Sequence, residues 1–327
     1  MGIPLLLDTD CAFDDWLALA YLTQCPNADL KAVTVAATGE SHAYAGIESA
    51  LRILSLQNRN VPVASGRGKP LKGDHCFPWF VRLAMDSRLA IPFPKTKQHR
   101  TSQSSQSLLA EVIKQSPDKV TILTLAPLTN IASLLLEYPQ AADRIEMIYV
   151  MGGALNVPGN LAEMMPATKN RFAEWNIYVD YYAADVVLRS SVPVTLIPLD
   201  ATNQVPLTVS LYTRLTYKPR TPAADFVARV VKRVKSLSGK RQLTFWDLVA
   251  AVIATHPEVA RFESRYLRVE QSDGHTIGRV VEDASCRPVR VCRIVDQAAV
   301  ENLVLNTLNG YISTSETAKD DQSIARE

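Results

Sequence analysis

A continuous apolar run over residues 3–7 breaks directly into Asp8-Thr9-Asp10-Cys11-Ala12-Phe13-Asp14-Asp15, after which Leu17, Ala18, Ala20, Tyr21 and Leu22 return with helical spacing. A run buried on both faces and followed at once by a helix predicts a parallel strand feeding a strand–turn–helix unit. The aspartates then occupy the strand's carboxyl end and the turn after it. Asp8 and Asp10 are expected on one strand face. Asp14 and Asp15 fall in the first helical turn, where free backbone N–H groups and the positive end of the dipole favour anions. Four carboxylates within eight positions repel one another and raise their own pKa values, and a cation is the simplest way to keep them ionised. Oxygen-only ligation suits Ca²⁺ or Mg²⁺ rather than zinc. The plainer reading, two helix caps and a solvated strand end, uses four acids where a cap needs one.

The rest of the chain predicts alternating strands and helices. Strands are expected over 30–37, 61–64, 120–126, 145–151 and 192–199, with helices over 44–56, 104–115 and from Pro127, near a first turn, through Leu136. That order specifies an α/β fold with a mostly parallel, doubly wound (Rossmann-like) sheet, whose ligands sit at the strands' carboxyl ends. Residues 72–94 read as a long loop or lid and 159–169 as a second insertion. A chain of 327 residues with 47% hydrophobic content can bury a large core. One domain over 1–312 is expected, followed by a polar, disordered tail over 313–327.

A formal charge of +2 argues against a nucleic-acid partner. Five cysteines without CxxC spacing point to a reducing compartment. With no signal-like segment and no apolar stretch near twenty residues, the expectation is a soluble cytoplasmic protein without a membrane partner.

Later segments carry polar groups to the same sheet edge: Met151-Gly152-Gly153, Glu174-Trp175-Asn176 before a helix capped by Asp180, residues 125–130, and Trp246-Asp247 opening a helix over 248–254. With the opening aspartates, this order resembles the inosine–uridine-preferring nucleoside hydrolase family, whose amino-terminal motif is Asp-x-Asp-Pro-Gly-x-Asp-Asp. The resemblance spans about residues 3–310. It implies the nucleoside hydrolase fold and calcium-dependent hydrolysis of a ribonucleoside to ribose and free base. It also implies that Asp10, Asp15 and Asp247 bind Ca²⁺ through carboxylates and Leu125 through its carbonyl, with Asp8 supporting the metal site. Asp14 and Asn176 would bind the 2′- and 3′-hydroxyls and Glu174 and Asn160 the 5′-hydroxyl, while Met151 lines the floor under the sugar. A homodimer or homotetramer is implied as well. Such an array suits an oxocarbenium-like transition state, with water on the metal as nucleophile and Asp10 as general base.

The chain also departs from the family pattern. Cys11-Ala12 stands where the motif has Pro-Gly, and Trp246 stands where many members carry a histidine proposed to protonate a departing purine. An indole cannot deliver that proton, though its ring could stack on a base. The family's histidine-glycine loop segment has no clear counterpart, and His75 nearby reads as a solvated loop residue. Glu40 or His42 could reach the site, or Ser41 could simply cap the next helix. Cys11 and the tyrosines Tyr178, Tyr181 and Tyr182 read as packing residues, His99 and His275 as exposed, and His256 as a helix end. The basic run over 229–241 reads as a solvated helix face with a loop approaching Trp246.

Two rivals remain open. A haloacid-dehalogenase-type Mg²⁺ phosphatase also starts strand-Asp-x-Asp, but wants threonine or valine where Ala12 stands and leaves Asp14-Asp15 unexplained. A catalytically silent calcium- and ribosyl-binding relative is kept open by Trp246 and the altered turn.

Overall fold

A computed structural model describes residues 2–57, 60–272 and 274–310; the tail expected over 313–327 lies outside them. Among the described residues nine strands form one sheet: β1 (Ile3–Thr9), β2 (Ala28–Val35), β3 (Val63–Ser65), β4 (Val120–Thr124), β5 (Ile145–Met151), β6 (Val194–Ile197), β7 (Ala260–Val269), β8 (Val280–Glu282) and β9 (Pro288–Val295). Their order is β3-β2-β1-β4-β5-β6-β9-β7-β8. Every pairing from β3 to β9 is parallel, and β7 runs antiparallel to both β9 and β8.

This order places the ligand crevice. From β1 the chain winds outward through β2 and β3, then returns to lay β4 on the other side of β1. The sequence of windings thus reverses between β1 and β4, and in such sheets the gap at that reversal, beyond the carboxyl ends, receives the ligand. The aspartates leave β1 at that point. Leu7 pairs with Leu123 and Asp8 with Thr124, and the Leu125 amide donates to the Asp8 carbonyl at 2.8 Å.

Residue parity in β1 divides the core. Leu5 and Leu7 pack with Trp16, Phe226 and Leu248 on one face, and Leu6 packs with Ile122, Ile148 and Leu109 on the other. Leu5, Leu6 and Leu7 are wholly buried, which is why the sequence shows an unbroken apolar run and no alternation. Burying each contributes about 1.5–3 kcal/mol relative to exposure.

Several expectations shift in detail. The strands expected over 120–126 and 192–199 end earlier, at Thr124 and Ile197, and Asp200 falls in a short helix, Leu199–Thr202. Pro127 precedes the N-cap Leu128 of helix Thr129–Glu137, outside the first turn. The region over 72–94 contains a helix, Trp79–Asp86, whose Val81 and Met85 are buried, so it is not one long loop. The segment over 159–169 holds the short helix Leu161–Met164. Ser41 is not the N-cap of helix Ala43–Leu54; His42 is, while the Ser41 hydroxyl donates to the Asp10 carbonyl. Among the described residues no helix is long and apolar enough to cross a membrane.

Candidate active site

Strand β1 ends at Thr9, so Asp10 lies past the strand and does not share its face with Asp8. The turn is left-handed at Cys11, with φ 56°. It is held by the Cys11 amide donating to Thr9 Oγ1 at 3.0 Å and by the thiol donating to the Gly46 carbonyl at 3.2 Å. Cys11 is therefore a packing residue with a backbone role. Helix Phe13–Gln24 follows. Alanine at its N-cap offers no side-chain acceptor, but Asp15 at the third helical position accepts from the Ala12 amide at 3.0 Å and from the Thr9 hydroxyl, half of a capping box.

Asp14, Asp15 and Asp247 each offer an oxygen within 4.8 Å of the others, and all three are buried. Asp247 enters from the first turn of helix Trp246–Thr255. Its amide donates to Asp14 Oδ2 at 3.5 Å, so the starts of two helices face each other across the cluster. Asp10 stands beside it, and accepts from the Glu40 amide at 3.0 Å and the Ala12 amide at 3.3 Å. Gly39 makes that approach possible, since a Cβ there would lie 2.1 Å from the Asp10 Cβ.

Asp8 does not join the cluster. Its carboxylate accepts from Thr34 at 2.6 Å, Asn130 at 2.7 Å and Thr124 at 3.4 Å, which ties β1 to β2, β4 and the helix after β4. Asp8, expected to support the metal site, is a buried strand tie outside the cavity lining.

Burial is the first cause of every carboxyl shift at the site. It pushes Asp8 and Asp14 up to about 7 and Glu174 up to about 7. Asp10, Asp15 and Asp247 are also raised, with mutual repulsion adding to desolvation at Asp15 and Asp247. A cation reverses both costs. The donor chemistry fits a hard divalent ion: crowded, buried carboxylate oxygens with no imidazole or thiolate among the cluster groups, and Leu125 in the lining of the same cavity.

Above the acids lies a cavity of about 450 Å³. Asp10, Asp14, Leu125, Met151, Asn176 and Asp247 line its depth. Asn176 Nδ2 donates to the carbonyls of Leu125 at 3.3 Å and Met151 at 3.2 Å, so it bridges the ends of β4 and β5. Glu174 caps helix Trp175–Val179 by accepting from the Asn176 amide at 2.9 Å, and its other oxygen accepts from the Gly153 amide at 3.0 Å. Asn160 accepts from the Trp175 amide at 3.0 Å. Each of these side chains keeps a face to the cavity while the backbone fixes its position. Trp246 also lines it.

A family model described as inosine-uridine preferring nucleoside hydrolase matches residues 5–302. The chain belongs to that family. Among its relatives is the pyrimidine-specific ribonucleoside hydrolase RihA of Escherichia coli O7:K1, 31% identical over 294 residues, 86% of this chain and 89% of the relative. The RihA of Shewanella oneidensis is 37% identical over 234 residues, 71% of this chain and 69% of the relative. Two solved structures share the fold. The inosine-uridine preferring nucleoside hydrolase from Bacillus anthracis matches with a TM-score of 0.82 at 24% identity, covering 94% of this chain and 99% of that one. The purine-preferring ribonucleoside hydrolase from Gardnerella vaginalis matches at 0.79 and 25%, covering 94% and 98%. This nucleoside hydrolase chain is accordingly an N-glycosyl hydrolase, and the phosphatase reading is set aside.

The family's departures take definite form here. Trp246 donates its indole N–H to Asn203 Oδ1 at 2.8 Å. His75 lies in a loop outside the cavity lining, half-buried, and stacks on Tyr178 with centroids 4.0 Å apart and planes at 9°. His42 pairs with Asp86 at 2.6 Å, outside the lining, whereas Glu40 does line the cavity. Sequence reasoning missed Asn203, Glu163 and Arg241, which also line it. Arg241 lies past the end of helix Pro222–Ser238, in the loop expected to approach Trp246, and pairs with Glu163 at 3.4 Å.

Proposed function

We propose that this nucleoside hydrolase binds Ca²⁺ at the reversal between β1 and β4 and cleaves the N-glycosidic bond of ribonucleosides, pyrimidine nucleosides first among them. The observation that carries the reading is the buried Asp14-Asp15-Asp247 cluster with Asp10 beside it, at the floor of a cavity of nucleoside size. The pyrimidine preference rests on the relatives named as pyrimidine-specific and on Trp246, which has no proton to give a purine.

Asp10, Asp15 and Asp247, with the Leu125 carbonyl, would hold the cation, and the proximity of Asp14 to Asp15 and Asp247 brings the sugar's hydroxyls to the same point. When bound, the ion supplies Lewis acidity toward water and the vicinal diol and offsets the carboxylate repulsion. Asp10 takes the proton from the attacking water as general base. Asp14 and Asn176 orient the 2′- and 3′-hydroxyls, Glu174 and Asn160 the 5′-hydroxyl, and Met151 supports the ring from below. As the bond to the base breaks, positive charge grows on C1′ and O4′, and the carboxylate array stabilises it. The base leaves with the bonding electrons and is protonated from solvent or from a polar group at the rim. The chain works as one domain and, by family resemblance, as a homodimer or homotetramer. Its five free cysteines suit the cytoplasm.

Ribose release from a panel of ribonucleosides, measured with and without a chelator, tests the reading. Chelator-sensitive release supports it. Calcium binding without release from any nucleoside would leave the silent binder instead.

A further inference from the structure

The exposed residues Glu163, Asn203 and Arg241 give the cavity a polar outer rim. At that rim the Trp246 indole N–H donates to Asn203 Oδ1 at 2.8 Å. Both residues line the cavity, and Asn203 is exposed. An amide can usually be turned end for end, but indole nitrogen is a donor with no acceptor capacity. Its partner must therefore be the amide oxygen, which leaves the Asn203 NH₂ as the remaining branch. That NH₂ has no hydrogen-bond partner among the described residues.

Asn203 caps the end of helix Leu199–Thr202, where its own amide donates to the Leu199 carbonyl at 3.0 Å. Backbone and side chain are thus both held. Trp246 immediately precedes Asp247 of the acidic cluster, and Trp246, Asn203 and Asp247 all line one cavity, Asp247 buried and Asn203 exposed; with the sugar placed over the acids, Asn203 marks the outer end toward which the base extends. A pyrimidine whose C1′ lies over the acids turns its far edge, the one bearing position 4, toward that end.

Resting on the hydrolase reading above, we propose that Asn203, oriented by Trp246, presents an N–H donor to position 4 of the bound pyrimidine and so favours uridine over cytidine. The uracil carbonyl accepts that hydrogen bond, whereas the cytosine amino group at the same place is itself a donor. Asn203 is the specificity residue and Trp246 its positioning residue.

The test is kcat/KM for uridine and cytidine with the full chain, wild type against Asn203→Asp and Trp246→Phe. In Asn203→Asp one carboxylate oxygen keeps the indole N–H and the other becomes an acceptor, so the uridine-to-cytidine ratio should fall by about fivefold or more, the worth of one modest hydrogen bond. Trp246→Phe keeps an aromatic ring and frees the amide to turn, and its ratio should move toward one. A merely structural role would lower both substrates together and leave the ratio alone. An unchanged ratio in a folded, active Asn203→Asp protein overturns the inference while leaving the hydrolase reading intact. Wild-type protein that releases ribose from neither nucleoside overturns the hydrolase reading and the inference with it. Should Asn203→Asp fail to fold, Trp246→Phe decides by the same ratio.

Discussion

The buried acids should make the metal-free protein lose stability as pH rises, the reverse of the usual carboxylate behaviour. Glu174 is raised from 4.5 to about 7 by burial. Below pH 4.5 it is protonated in both folded and unfolded chains, and its stabilising contribution is fully present. Between these values the native state holds the proton and the unfolded state has released it, so stability falls as pH rises and the contribution is lost on passing the folded value. At about 1.4 kcal/mol per pH unit, Glu174 alone costs about 3 kcal/mol across the window. Asp8 and Asp14, raised from 3.8 to about 7 by the same burial, act in the same direction. At roughly 2 °C per kcal/mol for a chain of this size, one such group lowers Tm by about 6 °C. A divalent cation binds the ionised carboxylates and must displace protons at low pH, so its stabilisation should be larger at about pH 7.5 than at about pH 5. Thermal unfolding of chelator-treated protein at both pH values, with and without Ca²⁺, measures this. A metal-free Tm that is flat or rises over the window, or a calcium-induced increase equal at both ends, would refute the reasoning.

Asp10→Asn removes the proposed base and should lower kcat by about 10²–10⁴-fold; an active variant with unchanged kcat would transfer that role elsewhere. 2′-Deoxynucleosides lack a hydroxyl that Asp14 is proposed to hold, and should lose most of kcat/KM against their ribose counterparts, while equal turnover would sink the diol assignment. Gly39→Ala sets a Cβ 2.1 Å from the Asp10 Cβ and should weaken calcium binding, read by calorimetry, more than it lowers Tm in chelator. Trp246→His supplies a group that can carry a proton at neutral pH, and inosine turnover should rise relative to uridine.

The first motif was legible because its chemistry and its place in the fold coincide. An apolar run such as residues 5–7 has to be a strand buried on both faces, and carboxylates at its end have to face the crevice or each other. Parity, however, misplaced Asp10 relative to Asp8, because period-two reasoning carried the strand through Asp10 while β1 ends at Thr9 and the backbone turns at Cys11. Hydroxyl and amide partners from Thr34, Thr124 and Asn130 come from three distant segments, and no local pattern announces them. Asn203 was invisible for a related reason: a single asparagine after a short helix acquires meaning only through an indole 43 residues away. The helix Trp79–Asp86 was hidden by its exposed Trp79, Phe80 and Leu83, which blur the apolar stripe that marks a buried helix face.

Cys11 shows how a departure from the family motif can be consistent with a preserved site. A proline at this position has φ fixed near −65° and no N–H. The observed φ of 56° is closed to it, and the amide that donates to Thr9 Oγ1 at 3.0 Å would be missing. The turn here thus depends on a donor that the motif's proline lacks. Thr9 in turn donates to Asp15, so the Cys11 amide, the Thr9 hydroxyl and the Asp15 carboxylate form one chain of hydrogen bonds that fixes a cluster oxygen. Restoring the motif residue alone, as Cys11→Pro, would remove the first link of that chain and force the backbone out of its left-handed turn. Cys11 is therefore matched to its surroundings: both the left-handed backbone and the amide donor at this position are closed to proline.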